Sequence, residues 1–217
     1  LLIYAARRPK RVELELIDLV RRRPLWRATM PKGVLRRPLV VGDRAFVSWR
    51  GGVAAVGSDG KSAWTHQREG SDPEAEAAPL TTGLLSLKDS VVFGTGDGRL
   101  IALAQSDGQA TELARPGEKR LVGELVAAEG RIFVAERGGA VHGLVLDDEG
   151  ATKSWTTQDA KVAFRTLAWA GGKLFTLNGS ADDFFRGEVT VLEALNPSTG
   201  ERSFLRPVPR PAQLHSF

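Results

Sequence analysis

Three histidines, His66, His142 and His215, are the first places to look for metal or acid–base chemistry in this 217-residue chain. Metal sites draw His and Cys ligands at short, fixed spacings. Each histidine here sits in a different stretch with no partner at such a spacing, and the chain has no cysteine. Disulfides, thiolate ligands and a cysteine nucleophile are thereby excluded. His142 lies in an apolar run and reads as a hydrogen-bonded strand residue. Asp147-Asp148-Glu149-Gly150 carries the oxygens of a calcium loop, yet Asp and Gly at that place serve turn geometry. Asp182-Asp183 falls in a wide polar connection from Asn178 to Arg186 and reads as solvating it. Asn178-Gly179-Ser180 matches a glycosylation acceptor, a pattern short enough to arise by chance. No serine occupies a nucleophile elbow and no phosphate-cradling loop opens a helix. The reading assigns no catalytic residue, no cofactor and no metal.

The elements that position these residues follow from a repeat. Its first landmark is an apolar stretch, a two-residue turn and a second apolar stretch. The turns are Gly42-Asp43, Lys88-Asp89, Glu129-Gly130 and Gly171-Gly172, with second residues 46, 41 and 42 positions apart. Such pairs tolerate the positive φ of a hairpin turn. The second landmark is another turn ending in glycine: Arg50-Gly51, Asp97-Gly98, Gly138-Gly139 and Arg186-Gly187. The third is a polar turn with glycine leading to an aromatic: Gly60 to Trp64, Gly150 to Trp155, Gly200 to Phe204. In the remaining copy Asp107-Gly108 leads to Glu112 instead. An earlier, incomplete unit supplies Asp18 and Trp26. Helix periodicity is weak throughout, and no apolar run is long enough to span a bilayer as a helix.

Each unit therefore reads as four short antiparallel strands, and the chain as an all-β propeller with about five blades visible. A partial blade covers 1–31, and blades follow at approximately 32–77, 78–118, 119–160 and 161–206, with a tail at 207–217. Arg206-Pro207-Val208-Pro209-Arg210-Pro211 is linker-like, and the chain is expected to be part of a larger propeller. Closure of a five-blade ring by Gln213 to Phe217 is the alternative.

The third landmark resembles the tryptophan-docking motif of quinoprotein-like propellers, the PQQ-like repeat, Ala-x-Asp-x-x-Thr-Gly-x-x-x-Trp. Ala194-Leu195-Asn196-Pro197-Ser198-Thr199-Gly200 leading to Phe204 carries the likeness best, and Ala55 to Trp64 is a form one residue shorter. Leu16, Asp18 and Trp26 keep the spacing, with Arg22 where glycine would stand. The resemblance implies that Trp26, Trp64, Trp155 and Phe204 lock blade to blade, with Gly60 and Gly200 as glycines of the same docking motif. It implies two functional branches. The dehydrogenases bind pyrroloquinoline quinone and calcium and often use a vicinal cysteine pair, which this chain lacks. The non-catalytic branch, similar to the outer-membrane assembly lipoproteins, uses its blades to bind protein, and this chain looks nearer to it. A segment of a quinone-dependent oxidoreductase and a sensor domain of a membrane protein are the alternatives. Only the resemblance points to a bacterial, periplasmic or otherwise extracytoplasmic location.

Charge gives the binding reading its address. Residues 1–50 hold 13 Lys and Arg against 4 Asp and Glu, a balance of +9, whereas the remaining 167 residues balance at −5. In a four-strand meander the second-to-third and fourth-to-first connections leave the sheet at one end. Arg7, Arg8, Lys10 and Arg11 belong to the former kind of connection, and Lys32, Arg36 and Arg37 to the latter. Arg50, Arg137 and Arg186 stand at further second-to-third turns, while Arg21-Arg22-Arg23 projects from the other end. Such a face suits an acidic protein partner. Nucleic acid is not expected, because no aromatic residues for base stacking accompany the charges.

Overall fold

The computed structural model describes residues 2–7, 12–30, 37–49, 51–67, 80–148, 150–157, 164–179 and 190–208. These form nineteen strands and no helix. The first sheet has three strands, β1 (Leu2–Arg7), β2 (Val12–Asp18) and β3 (Arg23–Met30), in the order β1-β2-β3. Four four-stranded sheets follow, each in chain order. They are β4 (Leu39–Val41), β5 (Arg44–Trp49), β6 (Gly52–Val56) and β7 (Ser62–Gln67); β8 (Leu85–Leu87), β9 (Ser90–Gly94), β10 (Leu100–Ala104) and β11 (Ala110–Ala114). Next come β12 (Leu121–Ala128), β13 (Arg131–Glu136), β14 (Val141–Leu146) and β15 (Ala151–Thr156); and β16 (Phe164–Ala170), β17 (Lys173–Gly179), β18 (Thr190–Leu195) and β19 (Arg202–Val208). These are the antiparallel blades of a β-propeller.

The sequence explains each corner. The first-to-second turns carry positive φ, at the glycines Gly42 (58°), Gly130 (69°), Gly171 (53°) and Gly172 (72°), and also at Lys88 (48°) and Glu129 (50°), where an L-residue takes it at a cost. At the third-to-fourth turns an Asp or Asn side chain caps the backbone. Asp59 accepts from Lys61 N at 2.9 Å, Asp107 from Gln109 N at 2.9 Å, and Asn196 from Ser198 N at 2.8 Å. Asp18 does the same for Val20 and Arg21, and Arg22 takes the left-handed place (φ 52°) that glycine fills elsewhere.

The chain packs as two compact units, Leu1–Gly96 with Ile101–Glu112, and Asp97–Leu100 with Leu113–Phe217. In the first, Leu14, Met30, Ala45, Val47, Trp49, Ala54 and Val56 form a core between the first two sheets. A second core, with Phe46, Val53, Ala55, Trp64, Val91, Phe93 and Leu103, lies between the second and third. In the second unit Phe133, Ala135, Val141, Trp155, Leu167, Leu174 and Leu195 fill the space between the fourth and fifth sheets. Middle strands are buried along most of their length, as in β5, β6 and β13, because both sheet faces are covered. Outer strands such as β7 and β15 are buried chiefly at their tryptophan.

That tryptophan sits in the same local construction each time. It pairs with a small residue on the third strand, Ala55 with Trp64 and Gly143 with Trp155, and the register slips at the next position. Ala194 with Phe204 and Leu16 with Trp26 repeat the slip. Such a bulge bends the outer strand and re-aims its side chain. The indole then covers a glycine one sheet further along. A Cβ placed on Gly60 would lie 2.9 Å from Trp26, on Gly108 2.6 Å from Trp64, and on Gly200 2.5 Å from Trp155. Trp64 Nε1 donates to Gln105 O at 2.9 Å and Trp155 Nε1 to Pro197 O at 2.8 Å. In each case the carbonyl belongs to the residue three before the covered glycine.

Candidate functional site

The most developed polar site of the described residues lies in the second unit, around Glu136 and His142. It begins with two glycines. The six-residue connection from β11 to β12, Arg115-Pro116-Gly117-Glu118-Lys119-Arg120, lies across the end of the fourth sheet. It can do so because Gly117 has no side chain: a Cβ there would be 2.7 Å from the Glu136 carboxyl carbon. Gly98 in turn lets the β9–β10 turn press on the Gly117 carbonyl, which a Cβ would approach to 2.4 Å. The β13–β14 turn meets the same connection, with Arg137 N donating to Arg120 O at 2.7 Å.

At the floor His142 is 3 % exposed and fully partnered. Its Nε2 is 3.1 Å from Glu136 Oε2 and its Nδ1 is 3.0 Å from Thr156 Oγ1. A carboxylate only accepts, so Nε2–H donates to Glu136 and Nδ1 accepts from the threonine hydroxyl. The other Glu136 oxygen accepts the Lys119 backbone N–H at 2.5 Å. Burial pulls the His142 pKa below its ordinary value of 6.5; the hydrogen bond to Glu136 and its charge oppose this, and the nearby Lys153 charge assists it. The imidazole is therefore neutral near pH 7. Hydroxyl, imidazole and carboxylate stand in line, with the imidazole buried and both its nitrogens engaged.

The sign of the pH dependence follows. Between the lowered folded pKa and 6.5 the unfolded chain binds more protons than the folded one, so stability rises with pH across that window. The contribution is present above 6.5 and is lost as pH falls toward the folded value. Urea midpoints at pH 8 and pH 5.5 should show a larger acid loss for the native chain than for His142→Gln. Equal losses would show that His142 carries no such linkage.

Above this floor a groove of about 790 Å³ is lined by Arg115, Pro116, Gly117, Glu118, Lys119, Glu136, His142 and Lys153. Lys153 Nζ donates to Pro116 O at 3.1 Å, tying β15 to the loop. Arg120 and Arg137 are exposed beside it.

Of the basic residues picked from the sequence, Arg8, Lys10, Arg11, Lys32, Arg36, Arg50 and Arg186 lie outside the described residues. Arg7 closes β1 opposite Val12, Arg37 is exposed ahead of β4, and Arg137 is exposed at the β13–β14 turn beside Arg120. His215 and the Asp182-Asp183 pair also fall outside the described residues, while His66 pairs with Val53 in the β6–β7 ladder. Asp147 caps its own turn, accepting from Gly150 N at 2.8 Å. Among the described residues no cluster of His, Cys, Asp and Glu could hold a metal ion. Sequence reasoning missed Arg115, Lys119, Lys153 and Glu136. The fourth-to-first rule, applied to residues 115–120 as it was to 32–37, would have found two of them.

The family described as outer membrane protein assembly factor BamB matches residues 13–203, most of the chain. This chain belongs to that family. Among solved structures, BamB from Moraxella catarrhalis superposes with a TM-score of 0.65 at 16% identity, covering 89% of this chain and 58% of that one. The quinohemoprotein alcohol dehydrogenase of Comamonas testosteroni gives 0.62 at 17%, covering 80% and 35%. The computationally designed Ika8 protein gives 0.61 at 15%, covering 94% and 61%. At such identities the likeness is one of fold. The chain spans less than two thirds of the length of each of these structures. No curated protein sequence matches it.

Proposed function

We propose that this propeller is a non-catalytic scaffold that binds another protein through the loop end carrying the second-to-third and fourth-to-first connections. The observation that supports the reading most is the make-up of that end in the fourth sheet: exposed cations over a floor whose carboxylate and imidazole are committed to each other. Membership of the BamB family supports a role beside outer-membrane protein assembly, with the chain outside the cytoplasm of a bacterium. The basic groups Arg7, Arg8, Lys10 and Arg11, and Lys32, Arg36 and Arg37, extend the same rule to the first blades, where they favour an acidic partner.

The rival is the propeller of a quinone-dependent oxidoreductase, suggested by the quinohemoprotein neighbour. One pair of measurements separates the two. Purification of the intact protein from chemically cross-linked cells should yield a stoichiometric protein partner. Titration with pyrroloquinoline quinone and calcium should show no tight uptake and no dye reduction. Tight uptake with dye reduction, and no partner, would overturn the scaffold reading.

A further inference from the structure

Resting on that scaffold reading, we propose that the groove over Glu136 and His142 seats an extended acidic segment of the partner, its carboxylates held by Arg115, Lys119 and Lys153. The charge arithmetic of the lining carries the argument. Among the described residues three cations and two carboxylates line the groove. Glu136 is already engaged through both oxygens, by the Lys119 backbone N–H and by His142. His142 is neutral and buried, and with Glu136 and exposed Glu118 counted the lining still carries one more positive than negative charge. Lys153 uses one proton on Pro116 O and keeps two for a ligand. Exposed Arg120 and Arg137 extend the positive strip beyond the groove mouth.

Size admits an extended segment. About 790 Å³ lies within the usual range of ligand pockets and is far more than one carboxylate fills. The walls are held in place by Gly117 on Glu136, by Gly98 on Gly117 and by the Lys153–Pro116 hydrogen bond. Little ordering of the loop is then left for binding to perform. Among the described residues no aromatic side chain lines the groove, so a single nucleic-acid strand would find charge but no stacking surface there.

The test uses fluorescein-labelled hexaglutamate and fluorescence anisotropy on the intact protein at low ionic strength, where such contacts are least screened. Lys119→Glu with Lys153→Glu should weaken binding about tenfold or more, as loss and reversal of two charge-assisted contacts require. Lys61→Glu with Lys173→Glu, an equal change of net charge at exposed positions in the β6–β7 turn and at the start of β17, should leave it within about twofold. Should the first variant not fold, Lys119→Gln with Lys153→Gln decides, since glutamine can still donate to Pro116 O; it should lose binding by a smaller factor. Equal binding by native and groove variants, or equal loss in the control variant, overturns the proposal. So does tighter, lysine-dependent binding of inorganic phosphate or oligothymidylate than of hexaglutamate. If the groove fails this test while a protein partner still co-purifies, the groove alone is wrong; if no partner co-purifies either, the scaffold reading falls with it.

Discussion

Trp64→Ala is expected to lower unfolding stability by about 3–5 kcal/mol in urea denaturation. The side chain is 9 % exposed, lies 5.8 Å from the Phe46 ring, and covers Gly108 one sheet further on. Burying about 200 Å² at about 25 cal/mol per Å² contributes up to about 5 kcal/mol before ordering costs. The hydrogen bond is a smaller part. Gln105 O also accepts from Arg44, so removing the indole N–H does not leave that carbonyl without a donor. The loss is then mostly one of packing, and Trp64→Phe should recover more than half of it. A cost under about 1 kcal/mol for the alanine variant would show that the indole does not hold the sheets together.

Gly200→Ala is expected to cost about 2–5 kcal/mol, from two independent sources. Gly200 has φ of 73°, a left-handed conformation that costs an L-residue about 1–2 kcal/mol. Its new Cβ would also stand 2.5 Å from the Trp155 ring, overpacking worth about 1–3 kcal/mol. Gly171 separates the two effects. It has φ of 53° with nothing within 4 Å of its Cβ position, so Gly171→Ala should show the conformational cost alone. Trp155→Ala removes the ring that causes the clash, and the double variant Trp155→Ala with Gly200→Ala should cost less than the sum of the two. Strict additivity in the thermodynamic cycle would mean that ring and glycine do not touch.

Much of the fold is legible in the sequence because its signals are local. Pairs such as Lys88-Asp89 and Gly171-Gly172 encode a turn within two residues, and they mark the hairpins β8–β9 and β16–β17. Trp64 and Trp155 stand four and five residues after their glycines, so the fourth strands could be placed too. The bulge beside each tryptophan is not legible in this way. It comes from pairing a small residue with an indole across two strands, which is a relation of register and leaves no short-range mark.

The groove was hidden for the same reason. Glu136 and His142 are six residues apart, and only the β13–β14 turn folds one onto the other. Lys153 enters from β15 through the ladder, eleven residues after His142. The net charge also misdirected attention. The excess of +9 lies in residues 1–50, whereas the groove's cations belong to a stretch that balances as acidic. Local sign, set by which carboxylates are already engaged, matters more to a binding surface than the sum over a segment.

The most direct test of the scaffold account is positional photocross-linking in cells producing the intact protein. A photoreactive amino acid at Arg137 sits on the loop end assigned to the partner; one at Glu129 sits in the β12–β13 turn, at the other end of the same sheet. The account predicts a discrete cross-linked protein from position 137 and none from position 129. Cross-linking from 129 alone, or equally from both positions, would contradict it.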